Sequence, residues 1–271
     1  MIHRLDGLLS LTDYLTEQLR DMAPHRAILR AVECRLMSQV RLTPPVLDIG
    51  CGDGHFASIA YDALPIDVGI DVMERDLPEA ASRPGVYRAV MFTSATALSF
   101  ADASFNTVVS NCVIEHIPDN LSVLREIARV LKPGGVFAAT LPSEHFPEYL
   151  FGASMLRSLG LRRLSRAYGD FFNRISRHYH VCSPEVWRDR LSSVGLVVEE
   201  QRYYFSAAAH RRFDLSHYLG LPNLVSKRLL GRWVLFGWQA KLFEHWLRPY
   251  YDEPLMASGA YQFVRCHKLN G

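Results

Sequence analysis

Residues 46–56 read V-L-D-I-G-C-G-D-G-H-F, and this stretch decides the fold. A mostly apolar run is followed by Gly50, Gly52 and Gly54, and apolar residues resume directly behind them. The pattern predicts a buried strand, a tight turn and the start of a helix. Because glycine has no Cβ, it accepts positive φ and lets a ligand approach the backbone closely. The turn is therefore predicted to belong to a binding site.

The spacing of the glycines and the acid before them indicate which ligand this turn suits. The dinucleotide fingerprint is G-x-G-x-x-G, whereas here the third glycine comes one residue early and His55 stands in its place. No Gly-Lys-Ser/Thr follows, so the Walker loop is absent as well. Asp48 would repel a pyrophosphate in a poorly solvated cleft but would favour a cation. The stretch favours an adenosyl ligand that carries a sulfonium and an amino group.

The pattern D-x-G-x-G-x-G at residues 48–54 resembles motif I of the class I S-adenosylmethionine (SAM)-dependent methyltransferases. Further motifs of that family follow in its order and spacing at residues 69–73, 94–106, 111–116 and 131–135. The match spans about residues 45–141 and looks most like the small-molecule branch, methyltransferase type 11. The resemblance implies an α/β fold: a Rossmann-like, mostly parallel sheet of seven strands with an antiparallel strand 7. It also implies helices on both faces and helical lid insertions.

One segment departs from the family pattern. Residues 94–106 resemble the segment written D-A-x-x-L-P-F-x-D-x-S-F-D, but Ser94 replaces the first acid, Ser99 the proline and Asn106 the last acid. Ser94 could still hydrogen-bond an adenine, although more weakly than a charged acceptor. These departures keep open a protein that binds SAM without transferring its methyl group.

The resemblance implies SAM as cofactor and S-adenosylhomocysteine (SAH) as product. Ligands in open α/β sheets sit outside the carboxyl ends of the strands. Asp71 follows Gly54 at close to the offset of about 20 residues at which a ribose-binding acid is found. The residues expected to hold the cofactor are Asp48, Gly50, Cys51, Gly52, Gly54, Asp71, Val72, Met73, Ser94, Ala95, Thr96, Asn111, Cys112 and His116.

Composition limits the remaining functions. The 271 residues are 49% hydrophobic and 21% charged, which is enough apolar material for a sizeable core. The net charge of +2 and the lack of an Asn/Asp-Pro-Pro-Tyr/Phe motif argue against a nucleic-acid partner, although an arginine-rich segment keeps RNA open. The five cysteines form no C-x-x-C pair, which indicates reduced thiols in a cytoplasmic protein. No apolar run is long enough to span a membrane.

We expect four regions. Residues 1–44 form an N-terminal helical cap that packs on the sheet or covers the cofactor. Residues 45–141 form the SAM-binding core, and residues 142–182 a helical lid that contacts substrate. Residues 183–271 complete the core with strands 6 and 7, around a helical insertion at about 206–257.

Between Arg157 and Arg177 the lid carries an excess of positive charge, opposed locally by Asp170 alone. Such a cluster suits phosphate or carboxylate groups, an anionic membrane or RNA, or forms a solvated face compensated elsewhere. The residues expected to contact substrate are Tyr14, Arg174, Arg177 and Tyr179. The arginines of the lid are Arg157, Arg162, Arg163, Arg166, Arg174 and Arg177.

Histidines supply the candidate bases. His116 leaves a predicted strand end, and a histidine can titrate near neutral pH, so it is the first choice, with a positioning role as the alternative. His145, His178 and His180 are the reserves. His178 and His180 would face one side of an extended segment, but no third ligand at metal-site spacing is evident, and we expect no metal site.

The broad apolar helix predicted at 229–247 faces the core, a second copy in a homodimer, or a membrane surface. We expect a cytoplasmic monomer or homodimer, with peripheral membrane contact through this helix as the open alternative.

The predicted function is methyl transfer from SAM to a small molecule by in-line displacement, on oxygen in the first instance. The acceptor is a sugar, a lipid-linked or anionic molecule, or a natural-product intermediate. The alternative is a SAM-binding protein that transfers no methyl group. A reductase that uses NAD is the third candidate, and it lacks the required glycine spacing.

Overall fold

The computed structural model describes residues 12–61, 64–219, 237–254 and 256–270. Its centre is a seven-stranded sheet of order β3-β2-β1-β4-β5-β7-β6, parallel throughout except for β7, which runs antiparallel to β5 and β6. The predicted fold class is confirmed. The strands are β1 Val46–Ile49, β2 Ile66–Asp71, β3 Tyr87–Phe92, β4 Phe105–Asn111, β5 Leu131–Pro142, β6 Leu196–Tyr204 and β7 Tyr261–Lys268.

Helices flank the sheet and form a separate group after β5. A short 3₁₀ helix, Ile114–His116, follows β4. The α-helices are α1 Tyr14–Asp21, α2 Pro24–Met37, α3 His55–Ala60, α4 Leu77–Ser82, α5 Asn120–Val130, α6 Phe146–Tyr149, α7 Phe151–Ser158, α8 Arg162–Ile175, α9 Pro184–Ser192, α10 Ala207–Leu219 and α11 Gly237–Tyr251.

The strand order positions the site. The chain builds the sheet outward through β1, β2 and β3, then returns to place β4 and β5 on the other side of β1. All four residues of β1 are buried, as expected for a central parallel strand covered on both faces. Where the order reverses, between β1 and β4, the carboxyl ends of the strands open a crevice.

Most predicted elements lie where the sequence patterns put them, with small shifts at their ends. Asp119 caps α5 as predicted, because its Oδ1 accepts the Ser122 N–H at 3.1 Å. The predicted helical face that ended at Leu131 is one residue too long: Leu131 already pairs with Phe105 as the first residue of β5. Pro133 could not have continued the helix, because it has no N–H to donate.

The described part of the N-terminal region contains two helices, as predicted; residues 8–11 of the first pattern lie outside the described residues, and α2 ends at Met37. Pro24, expected between the helices, is the first residue of α2, where its missing N–H costs nothing. Leu15 and Leu19 of α1 and Ile28 of α2 are fully buried in the cluster on one face of the sheet.

Of the apolar helix predicted at 229–247, residues 229–236 lie outside the described residues. The remainder falls in α11, where Leu247 is buried and Phe243 and Trp246 pack against the core. Leu242 stays 59% exposed. Among the described helices, none combines the length and apolar character that a membrane span needs.

Candidate functional site

The glycine turn after β1 is closed by hydrogen bonds to β2. The N–H groups of Gly50 and Cys51 both donate to the Ile70 carbonyl, at 2.8 and 3.0 Å. The Gly52 N–H donates to Asp71 Oδ2 at 2.8 Å. These donors, which would bind a pyrophosphate in a dinucleotide site, are therefore already used inside the protein. The N–H groups of Gly50, Cys51 and Gly52 are therefore not free to bind an anion.

Two of the glycines are required for different reasons. Gly50 has φ +81°, and a Cβ there would lie 2.2 Å from a methyl group of Val113. Gly52 has φ +52°, and a Cβ there would meet no described atom within 4 Å. Gly50 thus permits close packing against the segment after β4, whereas Gly52 borders open space on the ligand side.

Asp48 lies beneath the turn. The Tyr87 hydroxyl donates to its Oδ2 at 2.6 Å. Burial raises the pKa of the Asp48 carboxyl to about 6; the Tyr87 hydrogen bond opposes this and the Asp71 charge adds to it. The carboxylate is therefore ionised at neutral pH and supplies a negative charge at the end of β1.

A polar cavity of about 990 Å³ opens above the turn. Residues of α1 and α2 line it together with residues of the turn. The lining residues are Arg20, Asp21, Met22, Arg26, Arg30, Asp48, Gly50, Cys51, Gly52, Asp53, His55, Phe56, Arg75, Asp76, Glu79, Arg83 and Asn111.

A second, mainly apolar cavity of about 570 Å³ lies beside the first. Its apolar walls come largely from α2, α6, α8, α10 and β7. Its polar groups come from the segment after β4, the segment after α8, and the helices α2 and α10. The lining residues are Leu29, Arg30, Cys112, Glu115, His116, Phe146, Phe171, Phe172, Ile175, Ser176, His178, Phe213, His217 and Tyr261.

The two cavities share a wall at the carboxyl end of β4. Arg30 lines both of them, Asn111 lines the polar cavity and the next residue, Cys112, lines the apolar cavity. Cys112 has φ +50°, a strained conformation for a residue with a Cβ. A ligand in one cavity is therefore a neighbour of a ligand in the other.

A buried carboxylate holds this shared wall together. Glu33 of α2 is fully buried and accepts hydrogen bonds from Arg30 Nη1 (2.6 Å), Asn111 Nδ2 (2.9 Å) and the Tyr204 hydroxyl (3.2 Å). The Cys112 thiol also donates to this carboxylate, to Oε1 at 3.2 Å. One carboxylate thus connects α2, β4 and β6. Sequence reasoning missed this role, because Glu33 lies in an ordinary amphipathic pattern.

The polar end of the apolar cavity contains Glu115, His116 and His178, each of which offers one ligand atom within 4.8 Å of the others. Glu115 is 1% exposed, and burial raises the pKa of its carboxyl to about 8. Burial, helped by the neighbouring His116, lowers the pKa of His178 to about 3. Sequence reasoning missed Glu115; its position between Ile114 and His116 at a predicted strand end was the available signal.

His180 does not join this group. Its Nε2 donates to the carbonyl oxygens of Ile117 (3.1 Å) and Pro118 (2.9 Å), and Arg190 donates to its Nδ1 at 3.3 Å. Both ring nitrogens are thus committed to structural hydrogen bonds. His178 therefore does not pair with His180 as predicted. It lies beside His116 instead, and the ring centroids of His178 and His116 are 5.1 Å apart.

His145 lies elsewhere. Its ring stacks on Tyr149 with a centroid distance of 5.0 Å, and its Nε2 is 3.5 Å from a carboxylate oxygen of Glu144. In the described chain it lines neither cavity.

The residues predicted to contact substrate are dispersed. Tyr14 is 4% exposed within the core, whereas Arg174 and Tyr179 face solvent. Arg177 contributes its backbone carbonyl, which lies 3.2 Å from Nδ1 of His116. As far as the described residues define the two cavities, none of these four side chains lines either one.

The predicted adenine and ribose contacts lie along the ends of β2 and β3. Asp71 accepts the Met73 N–H at 2.8 Å, and Val72 and Met73 are exposed. The hydroxyls of Ser94 and Thr96 are 2.8 Å apart, and Ala95, between them, is buried. Within the described chain none of these residues lines the polar cavity, but Asp71 contacts it through Gly52, which does line it and whose N–H Asp71 accepts.

Comparison with known proteins identifies a domain within the region expected to form the core. Residues 47–139 match the family model described as "Methyltransferase domain". The chain is 35% identical over 99 residues to a probable S-adenosylmethionine-dependent methyltransferase of Mycolicibacterium smegmatis (strain ATCC 700084 / mc(2)155), covering 36% of this chain and 38% of that protein. It is 36% identical over 135 residues to the 27-O-demethylrifamycin SV methyltransferase of Amycolatopsis mediterranei (strain S699), covering 47% and 43%.

The fold extends further than this sequence similarity. A SAM-dependent methyltransferase structure from Thermotoga maritima superposes with a TM-score of 0.56 over 90% of this chain and 91% of that one, at 20% identity. The chain spans only 38–53% of the length of the first curated relatives it matches. The sequence similarity therefore concerns the central domain, and the likeness to the solved structure concerns the fold.

Proposed function

We propose, from the premise that this chain carries the domain of the class I SAM-dependent methyltransferases, that it transfers the methyl group of SAM to a small molecule. SAM binds in the polar cavity and the acceptor in the apolar cavity. The observation that carries the proposal is the shared wall, where Asn111 faces one cavity and Cys112 the other.

This arrangement suits in-line displacement. The sulfonium is already activated, so the protein must align the acceptor, exclude water and allow a proton to leave. The acceptor oxygen forms a bond to the methyl carbon as the carbon–sulfur bond breaks, and the electron pair of that bond stays on the sulfur of SAH. The acceptor proton passes to solvent at the polar end of the apolar cavity, where Glu115, His116 and His178 meet.

Charges around the polar cavity match the charges of SAM. Asp48 lies where an anion stabilises the cationic part of the ligand. Asp71 retains lone pairs for ribose hydroxyls after it has accepted the Gly52 and Met73 N–H groups. Arg26 of α2 supplies a guanidinium for the methionine carboxylate.

Binding of SAM is expected to weaken as the pH falls through about 6. The pKa of Asp48 is raised to about 6, so its negative charge is present above that pH and is lost below it. Calorimetric titrations between about pH 5 and pH 8 measure this dependence. Asp48→Asn should bind weakly at every pH in that range. A wild-type affinity that does not change with pH would remove Asp48 from the site.

Replacing Arg26 with alanine is expected to weaken SAM binding roughly 10- to 100-fold, because a hydrogen bond between charged groups contributes about 1.5–3 kcal/mol. The matched ligand is 5′-methylthioadenosine, which has the adenosyl part but no carboxylate. Its affinity should be equal for the wild type and the variant. Equal losses for both ligands would mean that Arg26 acts on the fold and not on the carboxylate.

The apolar cavity indicates the acceptor class. Aromatic and aliphatic side chains form most of its wall, and Glu115, His116 and His178 form a polar cluster on it. We therefore propose a mainly apolar small molecule that places a hydroxyl at the Glu115 end, where it is O-methylated. The name of the Amycolatopsis relative, a 27-O-demethylrifamycin SV methyltransferase, supports transfer to oxygen.

The second candidate is a protein that binds SAM without transferring its methyl group. Ser94 favours it, because a serine replaces the acid expected in the adenine segment. Incubating the purified chain with SAM labelled in the methyl group and with small-molecule extracts distinguishes the two. The proposed function requires labelled product that is absent with Asp71→Ala. Saturable SAM binding with no label transferred to any extract would favour the second candidate.

A further inference from the structure

We propose that Glu115, His116 and His178 bind a divalent transition-metal ion at the polar end of the apolar cavity. This cluster combines two imidazoles and one carboxylate from two segments that are 62 positions apart in the chain, as His116 and His178 show. It lies next to the proposed cofactor cavity but shares no side chain with its lining.

The separations of the three groups suit one ion. Glu115 Oε1 is 3.8 Å from His116 Nε2, and all three ligand atoms lie within 4.8 Å of one another. A point between three such atoms lies within about 2.8 Å of each, and zinc–nitrogen and zinc–oxygen bonds are about 2.0–2.2 Å. Side-chain rotations that move each atom by less than about 1 Å therefore complete the coordination.

The tautomer of His116 is already the one that a metal ligand needs. Its Nδ1 lies 3.2 Å from the Arg177 carbonyl oxygen, which can only accept a hydrogen bond. Nδ1 therefore carries the proton, and the lone pair is on Nε2, the atom nearest the Glu115 carboxylate. Metal-bound histidines characteristically donate their other ring N–H to a carbonyl or carboxylate in this way.

Two buried atoms of the cluster have no hydrogen-bond partner among the described residues: Oε2 of Glu115 and Nδ1 of His178. Leaving buried polar atoms unpaired costs free energy, so each instance requires a physical reason. A divalent cation bound here would pair with the buried oxygen of Glu115 and with an imidazole lone pair of His178.

The backbone holds the two segments in register. The Glu115 carbonyl accepts the N–H groups of Tyr179 (2.9 Å) and His180 (3.3 Å), which fixes the segment after α8 against the 3₁₀ helix. The His178 ring packs edge-on against Phe146, at a centroid distance of 4.7 Å. The ligands are therefore positioned by hydrogen bonds and packing that do not depend on the ion.

The donor set selects the kind of ion. Two imidazole nitrogens and one carboxylate oxygen suit Zn²⁺, Fe²⁺ or Co²⁺, whereas Mg²⁺ and Ca²⁺ prefer oxygen ligands alone. Three protein ligands leave at least one position open toward the cavity. If the proposed function holds, an acceptor hydroxyl takes that position; coordination lowers its pKa, its proton passes to solvent, and the oxygen is prepared for methylation.

The test is a titration of the chelator-treated, full-length chain with Co²⁺, followed by visible absorption. We expect saturation at one equivalent, with absorption bands of a site that contains nitrogen and oxygen ligands, and displacement by Zn²⁺. Glu115→Gln and His178→Asn should each weaken Co²⁺ binding by on the order of 100-fold, because losing even a group that only supports a metal ligand typically costs about 10- to 100-fold in affinity.

The matched control is the double variant Glu144→Gln, His145→Asn, which removes a second adjacent Glu–His pair outside both cavities. It should bind Co²⁺ as the wild type does. Absence of Co²⁺ binding in the wild type, or an unchanged affinity in Glu115→Gln, would refute the site. SAH titrations of every variant report the fold and cofactor binding separately, so the metal site can fail while the proposed function stands.

Discussion

Replacing Asp71 with alanine is expected to reduce SAM affinity by at least about 100-fold. The carboxylate orders the glycine turn through the Gly52 N–H and the following loop through the Met73 N–H, both at 2.8 Å. It also offers the lone pairs proposed for the ribose. Because each hydrogen bond to a charged group contributes about 1.5–3 kcal/mol, losing two or more of them corresponds to at least this change. Calorimetric titration with SAM measures it.

Asp67 provides the matched control, since it lies on the same strand, β2, at the opposite end. Its carboxylate accepts the Val46 N–H at 2.8 Å, so it makes the same type of contact away from the cavity. Asp67→Ala should lose stability but keep its SAM affinity. If both variants lose affinity equally, the effect comes from the sheet and the assignment of Asp71 to the cofactor is wrong.

Glu33→Ala is expected to cost about 3–5 kcal/mol of the free energy of unfolding. Removing one partner of a buried ion pair leaves the other charge uncompensated, and here the Arg30 guanidinium loses its 2.6 Å contact. Asn111 and Tyr204 lose an acceptor as well. For a chain of this size, the melting temperature should fall by roughly 10 °C. Thermal and denaturant unfolding measure both quantities.

The comparison for this prediction is Glu17→Ala in α1. Glu17 also pairs with an arginine three residues away, Arg20 at 2.7 Å, but both side chains are solvent-exposed. Exposed pairs of this kind contribute about 0–1 kcal/mol, so the variant should unfold close to the wild type. Equal stabilities for the Glu33 and Glu17 variants would contradict the view that one buried carboxylate holds the wall between the cavities.

The order of the core elements was predictable because each left a local pattern in the sequence. The run 46–49 with its glycines, the strand ending at Asp71 and the cap at Asp119 follow from hydrophobic period, φ requirements and capping chemistry. Their neighbours along the sheet follow from the family resemblance. The end of α5 was predicted one residue too late, at Leu131. No loop separates α5 from β5, so the sequence contains no turn residues that would mark the boundary.

The side chains around the cavities were less predictable, because their roles depend on contacts between distant segments. Glu33 lies on a helix whose pattern allows a solvated acid, and only its approach to Asn111 and Tyr204 shows that it is buried. Glu115 gains its position from a segment some 60 residues later. Tyr14 was predicted to contact substrate but is buried in the core. The sequence could not distinguish these outcomes, because an aromatic residue on an apolar helical face suits a pocket and a core equally.

The central claim is that the polar cavity holds an adenosyl cofactor and not a dinucleotide. Parallel calorimetric titrations of the purified chain with SAH and with NADH test it most directly. We predict saturable binding of one equivalent of SAH and no heat of binding with NADH, since the turn's N–H groups are occupied by Ile70 and Asp71. Binding of NADH that SAH cannot displace, or no binding of SAH, would contradict the claim.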